Sequence, residues 1–307
     1  MTPIDQTIFV SIANYRDTEI TPTIEDLFAQ ASHPKRISVG VLSQLMPGTD
    51  DDCKAPTHPQ VRQLFVLASQ SLGACWARHR ILTELRRDEA WVLQIDSHSR
   101  FEPGWDERFI RMHQDCPSPR SVLSTHPVPY TPPRELAAKV IPVTKPKEFN
   151  DQGVLMINTR SLSYANRPAA PVPSPFVGAG CLFAPARVFD EVPYDPFLYF
   201  HGEEATLSVR LWTHGWDLYA PNDVLLYHDY THDRGRPKHW RDNRDWTQLN
   251  ARSFARARYL LAAEPCADPV ALEQIERYGL GSARSLQAFE QHCGVDFVAC
   301  KILAEQS

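Results

Sequence analysis

The chain reads as an α/β protein, a Rossmann-like, mostly parallel sheet flanked by helices, with a helical C-terminal tail. Two observations predict this class. In the first third, four short apolar runs (residues 7–13, 36–42, 63–68 and 90–96) are separated by amphipathic stretches, the pattern expected of parallel strands joined by crossover helices. After residue 250 the apolar residues adopt helical spacing, in ARSFARARYLLAAE and SARSLQAFEQHC.

The elements follow in order. TIFVSIA, RISVGVL, QLFVLA and AWVLQID are strands by their β-branched apolar content. Between the first two, Thr21 and Pro22 look like an N-cap and first-turn pair opening a helix to about Ala31. ACWARHRILTELRR, residues 74–87, predicts a second helix before the last of these strands. From 117 to 175 the chain is rich in proline around two strand-like runs, KVIPVTK and VLMINTR, and reads as an acceptor-side lobe or covering loops. A helix is predicted from near Glu203, followed by a short strand VLLYH at 224–228. The expected division is a main domain over 1–250, with halves 1–116 and 117–250, and a helical extension over 251–307 packed on it.

Composition narrows the function. A formal net charge of -5 argues against a protein that coats nucleic acid or an anionic membrane, so any anion must be held locally. No run of about 18 apolar residues is present to span a bilayer, and the N-terminus lacks a basic stretch followed by an apolar one. The reading is cytoplasmic. Seven scattered cysteines without a CxxC pair indicate reduced, structural thiols rather than a zinc ribbon or a disulfide framework.

In sheets of this class ligands bind beyond the C-terminal ends of the strands. Asn14 to Asp17 follow one predicted strand, and Asp96, Ser97 and His98 follow another. Separated by Ser97 alone, Asp96 and His98 can aim at one point, and a carboxylate oxygen with an imidazole nitrogen suits Mn²⁺ or, less selectively, Mg²⁺. Taken alone, the same residues also fit a capping Asp and a surface His.

The wider sequence carries a resemblance. The segments FVSIANYRD (9–17), SLGACWAR (71–78), QIDSHSRFEPGWD (94–106), FVGAGCLFAPARVF (176–189), FHGEEATLSVRLWTHGWDLYAP (200–221), RPKHW (236–240) and YGLGSARSLQAFEQHCGVDF (278–297) resemble the cytoplasmic N-acetylglucosaminyltransferases that modify protein hydroxyproline, together with their bacterial relatives. DSH at 96–98 is also similar to the metal motif of the polypeptide N-acetylgalactosaminyltransferases. Both groups have the GT-A fold.

The resemblance implies a retaining transfer of N-acetylglucosamine from a UDP-sugar donor to a hydroxyl acceptor, on protein hydroxyproline, Ser or Thr, or on a glycan. It implies Asp96, His98 and His228 as ligands of Mn²⁺ or Mg²⁺, with His232 the alternative third ligand. Donor contacts are expected from Ser11, Ala13, Asn14, Tyr15, Arg16, Ser71, Gly73, Arg78, Ser97, Gly178 and Gly180, besides Asp96. RPKHW, with Arg234 just before it, forms a basic cluster in an acidic chain. Arg236, Lys238, His239 and Trp240 are read as a lid over the diphosphate that keeps water out. Glu203 matches the carboxylate of the WGGEN segment, Glu204 stands where that segment has Asn, and Asp195 is a third acid near the predicted site. Two acids opening a helix are also what the helix dipole favours.

Three other readings compete. UDP-galactose, UDP-glucose or UDP-N-acetylgalactosamine could be the donor in surface-glycan synthesis, since one hydroxyl contact separates epimers. The fold could persist in an inactive nucleotide-sugar-binding protein. A metallohydrolase using His98, His228 and His232 is the third, although no HExxH helix is present.

Overall fold

The apolar runs become the central strands of one large sheet. The structure is a computed structural model describing residues 6–230 and 236–303. The chain runs β1 (Ile8–Tyr15), α1 (Ile20–Gln30), β2 (Ile37–Leu45), β3 (Val61–Leu67), α2 (Ala74–Arg80), β4 (Trp91–Asp96), β5 (Ser99–Phe101), α3 (Trp105–Gln114) and β6 (Ser121–Ser124). The proline-rich stretch supplies β7 (Val128–Thr131), β8 (Glu135–Leu136), β9 (Val140–Phe149), β10 (Leu155–Ser163) and β11 (Val172–Pro173). Then come β12 (Cys181–Pro185), α4 (Arg187–Glu191), α5 (Glu203–Thr213), β13 (Asp217–Ala220), β14 (Leu226–His228), α6 (His239–Asp242), α7 (Trp246–Leu260) and α8 (Leu286–Cys293). A short hairpin, β15 (Val295–Asp296) and β16 (Lys301–Ile302), ends the described chain.

The eight-stranded sheet has the order β11-β13-β6-β12-β4-β1-β2-β3. β4, β1, β2 and β3 are mutually parallel, whereas β12 runs antiparallel between β4 and β6. The Rossmann-like half is therefore joined to the second half through β12. Period-two side chains cover both faces: Phe9, Leu42, Val92 and Leu182 pack under α2 and α5, while Val10, Ile12, Leu93, Ile95 and Phe183 pack under α1 and α3.

A second sheet, β5-β14-β7-β8, crosses the top. Its antiparallel register sets Ser99 opposite His228, so a residue remote in sequence lands beside the end of β4. The tail packs on the main body, with Phe289, Val295 and Phe297 meeting Phe176, Ala205 and Val209 in one buried cluster. Arg256 of α7 is fully buried and donates to Asp195 at 2.7 Å and to the carbonyls of Ala271 and Glu273. No helix among the described residues is long and apolar enough to cross a membrane.

Several boundaries differ from the sequence reading. Thr21 is not the N-cap of α1: that position falls two residues earlier, at Glu19, and the Thr21 hydroxyl donates instead to the Lys54 carbonyl at 3.0 Å. Residues 74–87 are helical only to Arg80, after which Ile81–Leu85 widen into a π turn that keeps Ile81, Leu82 and Leu85 on the core. The strand expected from Val224 begins at Leu226. His232 and Arg234 lie outside the described residues.

Candidate active site and metal centre

A cleft of about 440 Å³ opens at the C-terminal ends of β1, β2 and β4, where the topology of parallel sheets puts ligands. Asp96 is the last residue of β4. Its Oδ1 accepts from Arg78 at 2.8 Å, and its Oδ2 lies 3.0 Å from Nε2 of His228. The rings of His98 and His228 meet edge to face with centroids 4.5 Å apart. One ligand atom from each of Asp96, His98 and His228 falls within 4.8 Å of the other two.

Local structure fixes the trio. The Thr23 hydroxyl on α1 donates to the Ser97 carbonyl and accepts from Ser99 N–H, pinning the turn after β4. Asp229 N–H donates to the His98 carbonyl at 3.1 Å, continuing the β5–β14 pairing. The donor set of one carboxylate and two imidazoles fits Mn²⁺. Burial, reinforced by the neighbouring His98, pushes His228 down to about 4 despite the opposing pull of Asp96, so its imidazole is neutral as a metal ligand must be. Asp96 resists burial and stays well below the usual carboxylate range through the His228 hydrogen bond and the Arg78 charge.

Three acids were expected near the chemistry, and the structure separates them. Asp195 is buried in an ion pair with Arg256 and does not line the cleft. Glu203 and Glu204 open α5 and diverge. The Glu203 side chain is 6% exposed, and its carboxylate accepts from Arg78 at 2.5 and 2.7 Å and from the Tyr194 hydroxyl. The Glu204 side chain is 26% exposed; its Oε1 accepts from Ala179 N–H at 2.9 Å and lies 2.7 Å from His126 Nε2. Both glutamates line the cleft, and Glu204, in the position where the resembling segment has Asn, is the more exposed of the two. Arg78 is not a solvated helix charge: it is buried and bridges Glu203 to Asp96.

The expected donor-binding residues also divide. Ala13, Tyr15, Ser71, Gly73, Ser97, Gly180, Arg236, Lys238, His239 and Trp240 line the cleft with Asp96 and Arg78. Ser11 is sealed inside β1, and Asn14 is buried with its amide donating to the Cys53 carbonyl at 2.7 Å. Arg16 turns away, donating to Asp50 at 2.7 Å and to Asp242 at 2.8 Å. Gly178 lies behind the wall, where a Cβ would fall 2.5 Å from the Thr125 carbonyl. These four are not among the residues lining the cleft.

The basic cluster closes one side. Arg236 ion-pairs with Asp229, while His239 sits among Tyr15, Tyr199, Phe200 and Trp240. Burial pushes His239 down to about 4, and neither ring nitrogen has a partner among the described residues. α6 is fastened by Asp242, which accepts from Tyr15 and Arg16 at 2.8 Å each. Sequence reasoning named Asp17 only by its place after a strand and gave it no role, and it missed Gln44, His126, Tyr194 and Tyr230. Those four become neighbours only through sheet order.

The sheet order and the cleft beyond the strand ends have the architecture of the GT-A fold. The Glycosyltransferase (GlcNAc) family model matches residues 7–64 and 51–299, and the chain belongs to that family. No curated protein matches by sequence. Among solved structures, GalNAc-T7 with UDP, GalNAc and Mn²⁺ is similar at a TM-score of 0.64 and 14% identity, over 93% of this chain and 56% of that one. This chain therefore spans about half the length of that relative. The S. aureus TarS fragment 1–349 is similar at a TM-score of 0.47 and 12% identity, over 89% of this chain and 71% of that one.

Proposed function

We propose that the protein transfers N-acetylglucosamine from UDP-N-acetylglucosamine to a hydroxyl acceptor on protein (hydroxyproline, Ser or Thr) or glycan, with a divalent cation held by Asp96, His98 and His228. The convergence of those three side chains at the strand ends inside the main cleft carries this reading. The family's name and the UDP, GalNAc and Mn²⁺ bound by GalNAc-T7 support it. A bound Mn²⁺ or Mg²⁺ supplies Lewis-acid stabilisation of the charge on the departing diphosphate.

The chain's own residues do the rest. Lys238 and Arg236 bring positive charge to the cleft, where a diphosphate is held locally in an otherwise acidic protein. Tyr15 and Trp240 offer ring faces to the nucleotide. The 3.4 Å gap between a Cβ built on Gly180 and Asp96 Oδ2 shows how near the backbone comes to the metal ligands, room that favours a donor sugar. Retention by front-face attack fits these acids: Asp195 and Glu203 are both committed to arginines, which leaves no free nucleophile at either position. All seven cysteines are unpaired, in keeping with work in the reducing cytoplasm.

The test is UDP release from UDP-N-acetylglucosamine and Mn²⁺, alongside a panel of UDP-galactose, UDP-glucose and UDP-N-acetylgalactosamine. Chelator and Asp96→Ala should each abolish release. Release that survives both refutes the metal role, and preference for another panel member replaces the donor.

A further inference from the structure

Asp17 lines the cleft and is a carboxylate that the proposed chemistry leaves without a role. It is 2% exposed, and an anion so buried is tolerated only when its oxygens are matched by donors. They are: Oδ1 accepts from Glu19 N–H at 3.0 Å, and Oδ2 accepts from the Ser97 hydroxyl at 2.8 Å and lies 2.5 Å from His98 Nδ1. Arg236 approaches the same oxygen at 3.8 Å. Arg16 explains how Asp17 reaches this spot, because its left-handed backbone (φ 50) turns the chain sharply after β1.

We infer that Asp17 is a positioning residue for the metal centre: its Oδ2 accepts a hydrogen bond from His98 Nδ1–H, which keeps that proton on Nδ1 and leaves Nε2 as the ring nitrogen available to a cation beside Asp96 and His228. This rests on the metal reading proposed above. An imidazole has two edges, and a carboxylate holding one N–H fixes both the tautomer and the ring plane of the other. His228 makes no such bond; its Nδ1 is buried without a partner among the described residues. His98 is therefore the oriented ligand of the pair. As a buried anion Asp17 is matched by the Glu19 N–H, the Ser97 hydroxyl and His98, with the Arg236 guanidinium 3.8 Å away. Arg236 also pairs with Asp229, the residue after His228, so one guanidinium from the basic cluster lies close to both strand ends that carry the histidines.

Mn²⁺ affinity read by electron paramagnetic resonance of the free ion, on the full chain without donor, tests this. Asp17→Asn and Asp17→Ala should weaken binding by about 10–100-fold, the usual loss for such supporting groups, while the circular dichroism spectrum stays that of the wild type. In the unsubstituted protein, long-range ¹H–¹⁵N spectra should show His98 as the Nδ1–H tautomer, a signature that a purely structural Asp17 would not set and that needs no variant to fold. Near-wild-type Mn²⁺ affinity in both Asp17 variants, with binding lost in His98→Ala, overturns the inference alone, as does an Nε2–H tautomer. Unchanged affinity in His98→Ala as well overturns the metal reading itself.

Discussion

At the scale of single residues, Glu203 and Glu204 give the clearest contrast. They are adjacent in sequence, share a helix start and both line the cleft, yet one is buried against Arg78 and the other is partly exposed beside His126. Glu203→Gln leaves a buried guanidinium short of its anion, and breaking such a pair costs about 3–5 kcal/mol; urea melts should show it. Glu204→Gln should melt within a few tenths of a kcal/mol of wild type and lower kcat/KM by about 10–100-fold, the loss expected when a charged hydrogen-bonding group facing substrate is removed. Equal stability losses in both would contradict the division. Much of this lay beyond sequence. The Asp96–His98 spacing was readable from strand geometry, but His228 entered only by resemblance, and its approach depends on the β5–β14 pairing that sets it opposite Ser99. Asp17 and His98 are 81 positions apart, and His126 and Glu204 are 78 apart; no local pattern encodes such pairs.

At the scale of elements, local periodicity made the strands of the first third legible, because buried parallel strands are runs of β-branched residues. The antiparallel β12 and, apart from β14, the strands of the second sheet were not, since strands of two to five residues carry too little pattern. The start of α2 shows what sequence spacing conceals. Gly73 has φ 107, and a Cβ there would fall 2.2 Å from the Tyr199 carbonyl oxygen, whose hydrogen bond from Ala74 N–H opens the helix. Gly73→Ala should therefore cost about 1–3 kcal/mol in strain and raise KM for the donor, because Ser71 and Gly73 line the cleft. A melting temperature equal to that of the wild type would show that this turn relaxes freely.

At the scale of the whole molecule, two strongly shifted imidazoles predict acid sensitivity. His228 and His239 are each pushed down to about 4, chiefly by burial, whereas in the unfolded chain they titrate near 6.5. Because the folded values are lowered, the unfolded chain binds more protons between about 6.5 and 4. Stability should then fall as pH drops through that window, by up to about 3 kcal/mol per imidazole. His126 runs the other way, since Glu204 raises it against the effect of burial, and its pairing strengthens on the acid side. Chemical melts across that range check the sign, and His239→Phe should flatten the slope. Saturating Mn²⁺ at about 100 times its Kd should add about 2.7 kcal/mol that chelator removes.

The burial of Arg256 has a consequence for modularity. Its guanidinium is held by Asp195 on one side and by the Ala271 and Glu273 carbonyls on the other, so two of these three hydrogen bonds come from the segment beyond α7. A chain truncated after residue 262 would strand that cation and uncover Phe176 and Val209. The transferase fold here is not a cassette that can be trimmed or grafted without its tail. Swaps between relatives should move the two together, and a fusion boundary placed between them should yield aggregated protein.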